Sequence, residues 1–218
     1  LRMLLGSVVA GRRAIPVCAH VFAQTDVPKS QNIWENNFLR LLGLMLTDLG
    51  LEACVLADRG FRRVSFLKLL LAHAPLGFVV RLCDQVTVED GSHKRLISQC
   101  GLQPGRALDL GMVRLRQDAA VSMRVVGIWG RGQREPWWLA TNLEDPLARL
   151  AALYDRRMAI EEQIRDTKGA RFRLQLVWTQ IHTPAALARF TLLIGLTILL
   201  LTAIGHASVR NIPGVRLP

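Results

Sequence analysis

The sequence has no Cys-x2-Cys pair and no His-x3-His pair. Its four cysteines (Cys18, Cys54, Cys83 and Cys100) and five histidines are scattered, which excludes the ligand spacing of a structural zinc site. Cysteines used this way fit a reducing cytoplasm. Cys54 lies inside the apolar run ACVLA and reads as a buried thiol. There is no internal repeat and no low-complexity tract. Acidic residues are scarce: 17 Asp and Glu stand against 28 Lys and Arg, leaving a net charge of +11. Such a balance favours polyanionic partners, either nucleic acid or an anionic membrane surface. The surplus is mostly arginine, whose planar fork suits bidentate contacts to phosphate.

Charge is also missing from FTLLIGLTILLLTAIG, residues 190–205. A spanning helix needs about 20 apolar residues, and Arg189 and His206 bound this stretch just short of that. Thr183-Pro184 ahead of it is an N-cap followed by proline at the first helical position. We read a buried core helix here and expect no membrane partner. Near the N-terminus, 2–9 and 13–22 read as a hairpin turning at Ala10-Gly11-Arg12 rather than as a signal peptide.

Half the residues are hydrophobic, enough for a sizeable core. Residues 34–49 carry helical periodicity, and Gly50 ends it. ACVLA (53–57) is a short continuous apolar run, the pattern of a strand buried on both faces. A helix over 62–74 stops at Pro75, and GFVVRL (77–82) is a second buried strand. Helix and strand alternate, which predicts an α/β core. From 84 to 143 the texture becomes VTVED, MVRLRQ, VSMRVVGIW and WWLATNL, strand-like pieces with no helical period. In MVRLR, Val113 and Leu115 alternate with Arg114 and Arg116, a half-buried strand with a basic outer face. We therefore divide the chain into an α/β part over 1–83, an all-β insertion over 84–143, and a helical part over 144–218 that completes the core.

Two places could carry chemistry. Asp58 falls where ACVLA ends, and in open α/β sheets ligands bind outside the carboxyl ends of strands. Arg59 beside it could hold a phosphate, while Asp58 could instead cap the next turn. The second place is YDRRMAIEEQIRDTK. On an ideal helix at about 100° per residue, Tyr154, Arg157, Glu161 and Lys168 share an arc of about 60° that overlaps the apolar stripe. Glu161 then faces a cleft and Glu162 faces water. Two carboxylates offered from two sides, Asp58 and Glu161, could hold two divalent cations for phosphodiester cleavage. Arg81, at the end of FVVR, could contact a phosphate or close a salt bridge at the sheet edge. Trp129, Trp137 and Trp138 could stack on bases or pack in the sheet. Arg114, Arg116, Arg124, Arg131 and Arg134 could line a DNA face or stay solvated.

The spacing Tyr154-x2-Arg157-x3-Glu161-x6-Lys168 resembles the Tyr-x2-Arg-x3-Glu-x6-Lys signature of insertion-sequence DDE transposases of the IS-four type. ADRGF (57–61) resembles the segment around that family's second catalytic Asp, and WWLATNL looks like the end of its β insertion. The resemblance implies an RNase H-like fold and a Mg²⁺ or Mn²⁺ cofactor. It implies DNA strand cleavage and transfer at transposon ends, with a transposon end and a target as partners. It also implies a cytoplasmic, nucleoid-associated place in a bacterium and allows a homodimer for the full-length protein. Asp58 and Glu161 would be catalytic metal ligands; Tyr154, Arg157, Lys168, Arg59 and Arg81 would hold DNA. The family uses three acids, the first on a core strand ahead of a hairpin. This chain opens on the hairpin, so we expect the first core strand and its Asp to be missing. An N-terminally truncated copy should bind metal poorly and be inactive alone. The alternatives are a basic DNA-binding remnant without catalysis and a membrane-anchored basic protein.

Overall fold

The computed structural model describes residues 1–11, 13–23, 25, 30–73, 76–91, 93–116, 119–168 and 180–210. The side chains of 166–168, 206, 209 and 210 lie outside that description, as do Arg12 of the first turn and Pro75. The chain divides into two compact units, Leu1–Gln31 with Met158–Pro218, and Asn32–Arg157. These boundaries differ from the divisions at 83 and 143 drawn from texture.

In the second unit, helix α1 (Gln31–Asp48) ends at Leu49 and Gly50, where Gly50 takes φ +63°. Only glycine adopts that left-handed turn without strain. Strand β3 (Ala53–Ala57), helix α2 (Val64–Ala72) and strand β4 (Leu76–Arg81) follow, with β3 and β4 parallel. The remaining strands are β5 (Thr87–Asp90), β6 (His93–Leu96), β7 (Arg106–Arg116), β8 (Ala120–Trp129) and β9 (Trp137–Thr141). They join β3 and β4 in one seven-stranded mixed sheet of order β3-β4-β9-β8-β7-β5-β6. The fold is mixed α/β with flanking helices. The segment expected as an insertion is thus continuous with the α/β sheet, because β9 pairs antiparallel with β4.

Sheet position decides burial. Central β4 is buried as its apolar run predicts, with Phe78, Val79 and Val80 inaccessible. ACVLA reads the same way, but β3 is an edge strand with one hydrogen-bonding neighbour, so only Ala57 is buried and Cys54 is exposed. On β7, Val113 and Leu115 are buried while Arg114 and Arg116 are exposed, the expected alternation. Side chains fasten the end of β9 to β4. The Phe78 amide donates to Asn142 Oδ1 (2.9 Å), Asn142 Nδ2 donates to the Leu76 carbonyl (3.0 Å), and the Thr141 hydroxyl donates to the Phe78 carbonyl (2.7 Å). Trp138 is buried opposite Gly127, where a Cβ would stand 2.4 Å from the ring. The indole therefore needs glycine across from it. The unit closes with helix α3 (Leu147–Asp155), which begins after Pro146 as expected.

In the first unit, β1 (Arg2–Ala10) and β2 (Arg13–Phe22) form the predicted hairpin, a separate two-stranded sheet. Helix α4 (Met158–Lys168) and helix α5 (Pro184–Arg210) pack on it. The Thr183 hydroxyl caps α5 by accepting from the Ala186 amide (3.3 Å), as the Thr-Pro pair predicts. Gly195 lets the helix touch β2: a Cβ there would stand 2.4 Å from the Pro16 carbonyl oxygen.

The expectation of a buried α5 is not met. Thr191, Ile194 and Gly195 are buried, whereas Leu192, Leu193, Leu196, Leu199, Leu200, Leu201 and Ile204 are exposed. No other described residue of Pro184–Gly205 is buried. The reason is geometric: a two-stranded sheet covers one stripe of a helix and leaves the rest open. By length and composition this window could cross a membrane, which the count of uncharged residues alone did not show.

Candidate functional site

The C-terminal ends of β3 and β4, the N-terminal end of β9 and the end of α3 bring Asp58, Arg59, Arg81, Glu135, Trp137, Tyr154 and Arg157 into one unit. Asp58 follows the last residue of β3, at the crevice position expected for a ligand-binding acid. Its side chain is exposed, and Oδ1 accepts from the Gly60 amide (2.8 Å), capping the short 3-10 turn Arg59–Phe61. The capping role weighed from sequence is therefore present.

Arg81 ends β4 and is only 14% exposed. Its Nη2 meets Glu135 Oε1 at 2.7 Å and donates to the Pro136 carbonyl at 3.3 Å. The salt bridge anticipated for Arg81 at the sheet edge is formed. Its partner is new: Glu135 lies in the loop between β8 and β9, and its other oxygen, Oε2, reaches Arg59 Nη1 at 3.8 Å. One carboxylate thus links two guanidiniums. Glu135 is 48% exposed and Arg59 61%, so solvent screens the Arg59 contact and it contributes at most about 1 kcal/mol. The loop is shaped locally. The Gly130 amide donates to Gln133 Oε1 (2.9 Å) and Trp129 Nε1 donates to the Gln133 carbonyl (3.1 Å), so Trp129 is held by its own turn.

Tyr154 is 2% exposed. The Trp137 ring meets it edge-on, centroids 5.0 Å apart at 71°, and the Arg157 guanidinium stands 5.5 Å over its face. Trp137 packs here and Trp138 in the main core, so the packing role holds for both. The Tyr154 hydroxyl is buried without a hydrogen bond of ordinary geometry among the described residues. Burial pushes its pKa above the usual phenol value; Arg157 and Arg81 oppose this and Asp58 adds to it. Those three groups therefore lie within electrostatic reach of one hydroxyl.

The helix expected to run through Tyr154 and Lys168 is broken. Arg156 and Arg157 form a turn between α3 and α4, with amides bonded to the Leu153 (3.2 Å) and Tyr154 (3.0 Å) carbonyls. Those three-residue spacings tighten the backbone locally. Tyr154 and Arg157 stay together because the turn still brings the guanidinium over the ring. Glu161 and Lys168 belong to α4, in the other unit. Alpha4 buries Ala159 and Gln163, and both Glu161 and Glu162 are exposed. The Lys168 side chain lies outside the described residues.

The arginines of the β segment divide. Arg124 is structural: it pairs with Asp109 at 2.7 Å and donates to the Leu143 (2.8 Å) and Asp145 (3.0 Å) carbonyls. That hydrogen bond holds the Asp109 carboxyl below the ordinary range. Arg116 pairs with Glu89 at 2.5 Å. Arg114, Arg131 and Arg134 are exposed.

Among the described residues, no three His, Cys, Asp or Glu side chains gather to hold a metal ion. In this unit Asp58 offers one carboxylate, half used by a cap, and Glu135 is taken up by arginine. Within this unit Asp58 is the one carboxylate of the expected pair, since Glu161 belongs to the other unit. Glu135 escaped the sequence reading because only its place before Pro136 and the β9 run marked it, and nothing there signals an arginine partner far along the chain. No family model matches this chain, and no curated protein matches it.

Proposed function

We propose that the chain has the RNase H-like catalytic fold of a DDE-type transposase, binds DNA and does not cleave it alone. One observation carries the DNA-binding part. Arg81, Arg157 and the exposed Asp58 lie within electrostatic reach of the buried Tyr154 hydroxyl, and Glu135 links Arg81 to Arg59, in a protein of net charge +11. Guanidiniums so placed suit successive phosphates of a backbone. The spacing of Tyr154, Arg157, Glu161 and Lys168 supports the transposase part. In an active relative of such a chain, Mg²⁺ or Mn²⁺ would activate water and stabilise the leaving oxygen. Asp58 alone offers too few oxygens for that pair of cations within its own unit, so no cleavage step is assigned to this chain.

The test is binding of a labelled DNA duplex followed by anisotropy across a salt series. Each phosphate neutralised contributes about −0.9 to the slope of log K against log salt. Replacing Arg59, Arg81 and Arg157 together by glutamine should flatten that slope by about 2 to 3. Binding that ignores salt, or a slope unchanged by the triple substitution, refutes the interface. Incubation with Mg²⁺ or Mn²⁺ should leave the duplex intact; robust cleavage refutes the assignment of inactivity.

A further inference from the structure

We infer that Arg59 and Arg81 form a seat for a phosphate group, and that Glu135 occupies this seat as an internal anion until a phosphodiester displaces it. The inference rests on the DNA-binding reading above and names how that site is regulated. Its two carboxylate oxygens address two different arginines, Oε1 to Arg81 at 2.7 Å and Oε2 to Arg59 at 3.8 Å. Two oxygens of a phosphodiester would meet the same pair of cations in the same forked, charge-assisted way.

The parts differ in how firmly they are held. Arg81 is largely buried and braced by the Pro136 carbonyl, so its cation stays in place whichever anion faces it. Arg59 and Glu135 are both about half exposed or more, and their contact is the longer one. Glu135 also follows a turn in which Gly132 takes φ +81° and Gln133 is tied back to Gly130. That turn is complete without Glu135, so the carboxylate can leave while the loop keeps its shape. In the closed state Glu135 faces the Arg59 and Arg81 guanidiniums. Departure of Glu135 removes one negative charge from the crevice as the phosphate enters. Binding is then an exchange of one anion for another, and the protein's own carboxylate lowers affinity for every backbone that competes with it.

Glu135→Gln keeps the size and most hydrogen bonds of the side chain and removes only its charge. Duplex binding by Glu135→Gln should be several-fold tighter than by the parent. The salt slope should steepen by about one phosphate contact, that is about 0.9. Adding Arg81→Gln should abolish the gain, and Glu135→Asp should keep parental affinity. Inorganic phosphate, titrated by ³¹P NMR, separates this inference from the DNA-binding one. Tighter phosphate binding by Glu135→Gln upholds the seat even if no duplex binds. Unchanged or weaker binding of both probes, with the melting temperature unaltered, overturns it and leaves Glu135 as a structural clamp. Glu135→Ala gives a second charge-free variant and should behave as Glu135→Gln does.

Discussion

Replacing Tyr154 by Phe should stabilise this protein at neutral pH while weakening its hold on DNA. The ring does the packing: Trp137 meets its face edge-on at 5.0 Å and Arg157 lies 5.5 Å above it, and neither contact needs the hydroxyl. The hydroxyl is buried with the Arg157 guanidinium as a hydrogen-bonding neighbour outside ordinary geometry, so part of the about 1–3 kcal/mol cost of an unmade hydrogen bond remains. Attraction to the Arg157 guanidinium returns part of that. We expect a net gain of about 1 kcal/mol, or roughly 2–4 °C in melting temperature for a chain of this length. The pH dependence has a definite sign. Burial raises the Tyr154 pKa above 10.0, so above that pH the folded state keeps a proton that the unfolded state has lost. Stability conferred by the neutral phenol is complete below the unfolded pKa and is lost as pH rises through the folded one. Tyr154→Phe has no such loss, so its advantage should widen in alkali. Thermal unfolding followed by circular dichroism, at neutral pH and again above pH 10, measures both effects. A fall of two degrees or more at neutral pH would show that the hydroxyl is bonded after all and refute the reasoning. A buried hydroxyl retained at a cost to stability is expected where a ligand supplies its missing partner. Anisotropy with the same labelled duplex should therefore show weaker binding by this more stable variant.

Two further outcomes follow from the fold. Gly127→Ala should cost about 1–3 kcal/mol, since its Cβ would stand 2.4 Å from Trp138 and 2.8 Å from Leu102 in a closed core. Tryptophan fluorescence in a urea titration measures this, and Trp138→Phe, which removes the clashing atoms, should cost less in the Gly127→Ala background than alone. Asp109→Asn should cost under about 1 kcal/mol at neutral pH, because the Arg124 pair is partly exposed and screened. Asp109 has a depressed carboxyl pKa, so its stabilisation is present above pH 3.8 and lost as pH falls through the folded value. Parent and variant melting temperatures should therefore converge in acid; a gap that persists there would assign the effect to something other than the carboxylate charge.

Periodicity carried most of the secondary structure because local pattern was enough for it. The turn at Gly11, the helix ending at Gly50, the cap at Thr183 and the alternation of Val113 and Leu115 with arginine each depend on neighbouring residues. Burial is another matter, since it depends on which strand lies beside which. ACVLA and LGFVVR look alike as runs, yet one is an edge strand and the other is central. The α5 leucines likewise read as core, but the hairpin that receives the helix is only two strands wide.

The four-residue signature shows the same division inside one motif. Arg156-Arg157 carries neither glycine nor proline, so nothing local announced that the helix breaks there. The pair Tyr154 and Arg157 survives the break because a spacing of three keeps a side chain over its neighbour in a tight turn as in a helix. A spacing of seven or fourteen, the one that ties Tyr154 to Glu161 or Lys168, depends on every intervening turn, and here it runs from one compact unit into the other. The near pair is the part of the spacing that lies within one unit. The third cation and its carboxylate, Arg81 and Glu135, come from β4 and the loop before β9, and only strand pairing brings them together. A site built in this way is half motif and half topology. Its arginines can be proposed from charge and strand ends, but the anion that occupies them is visible only once the sheet is assembled.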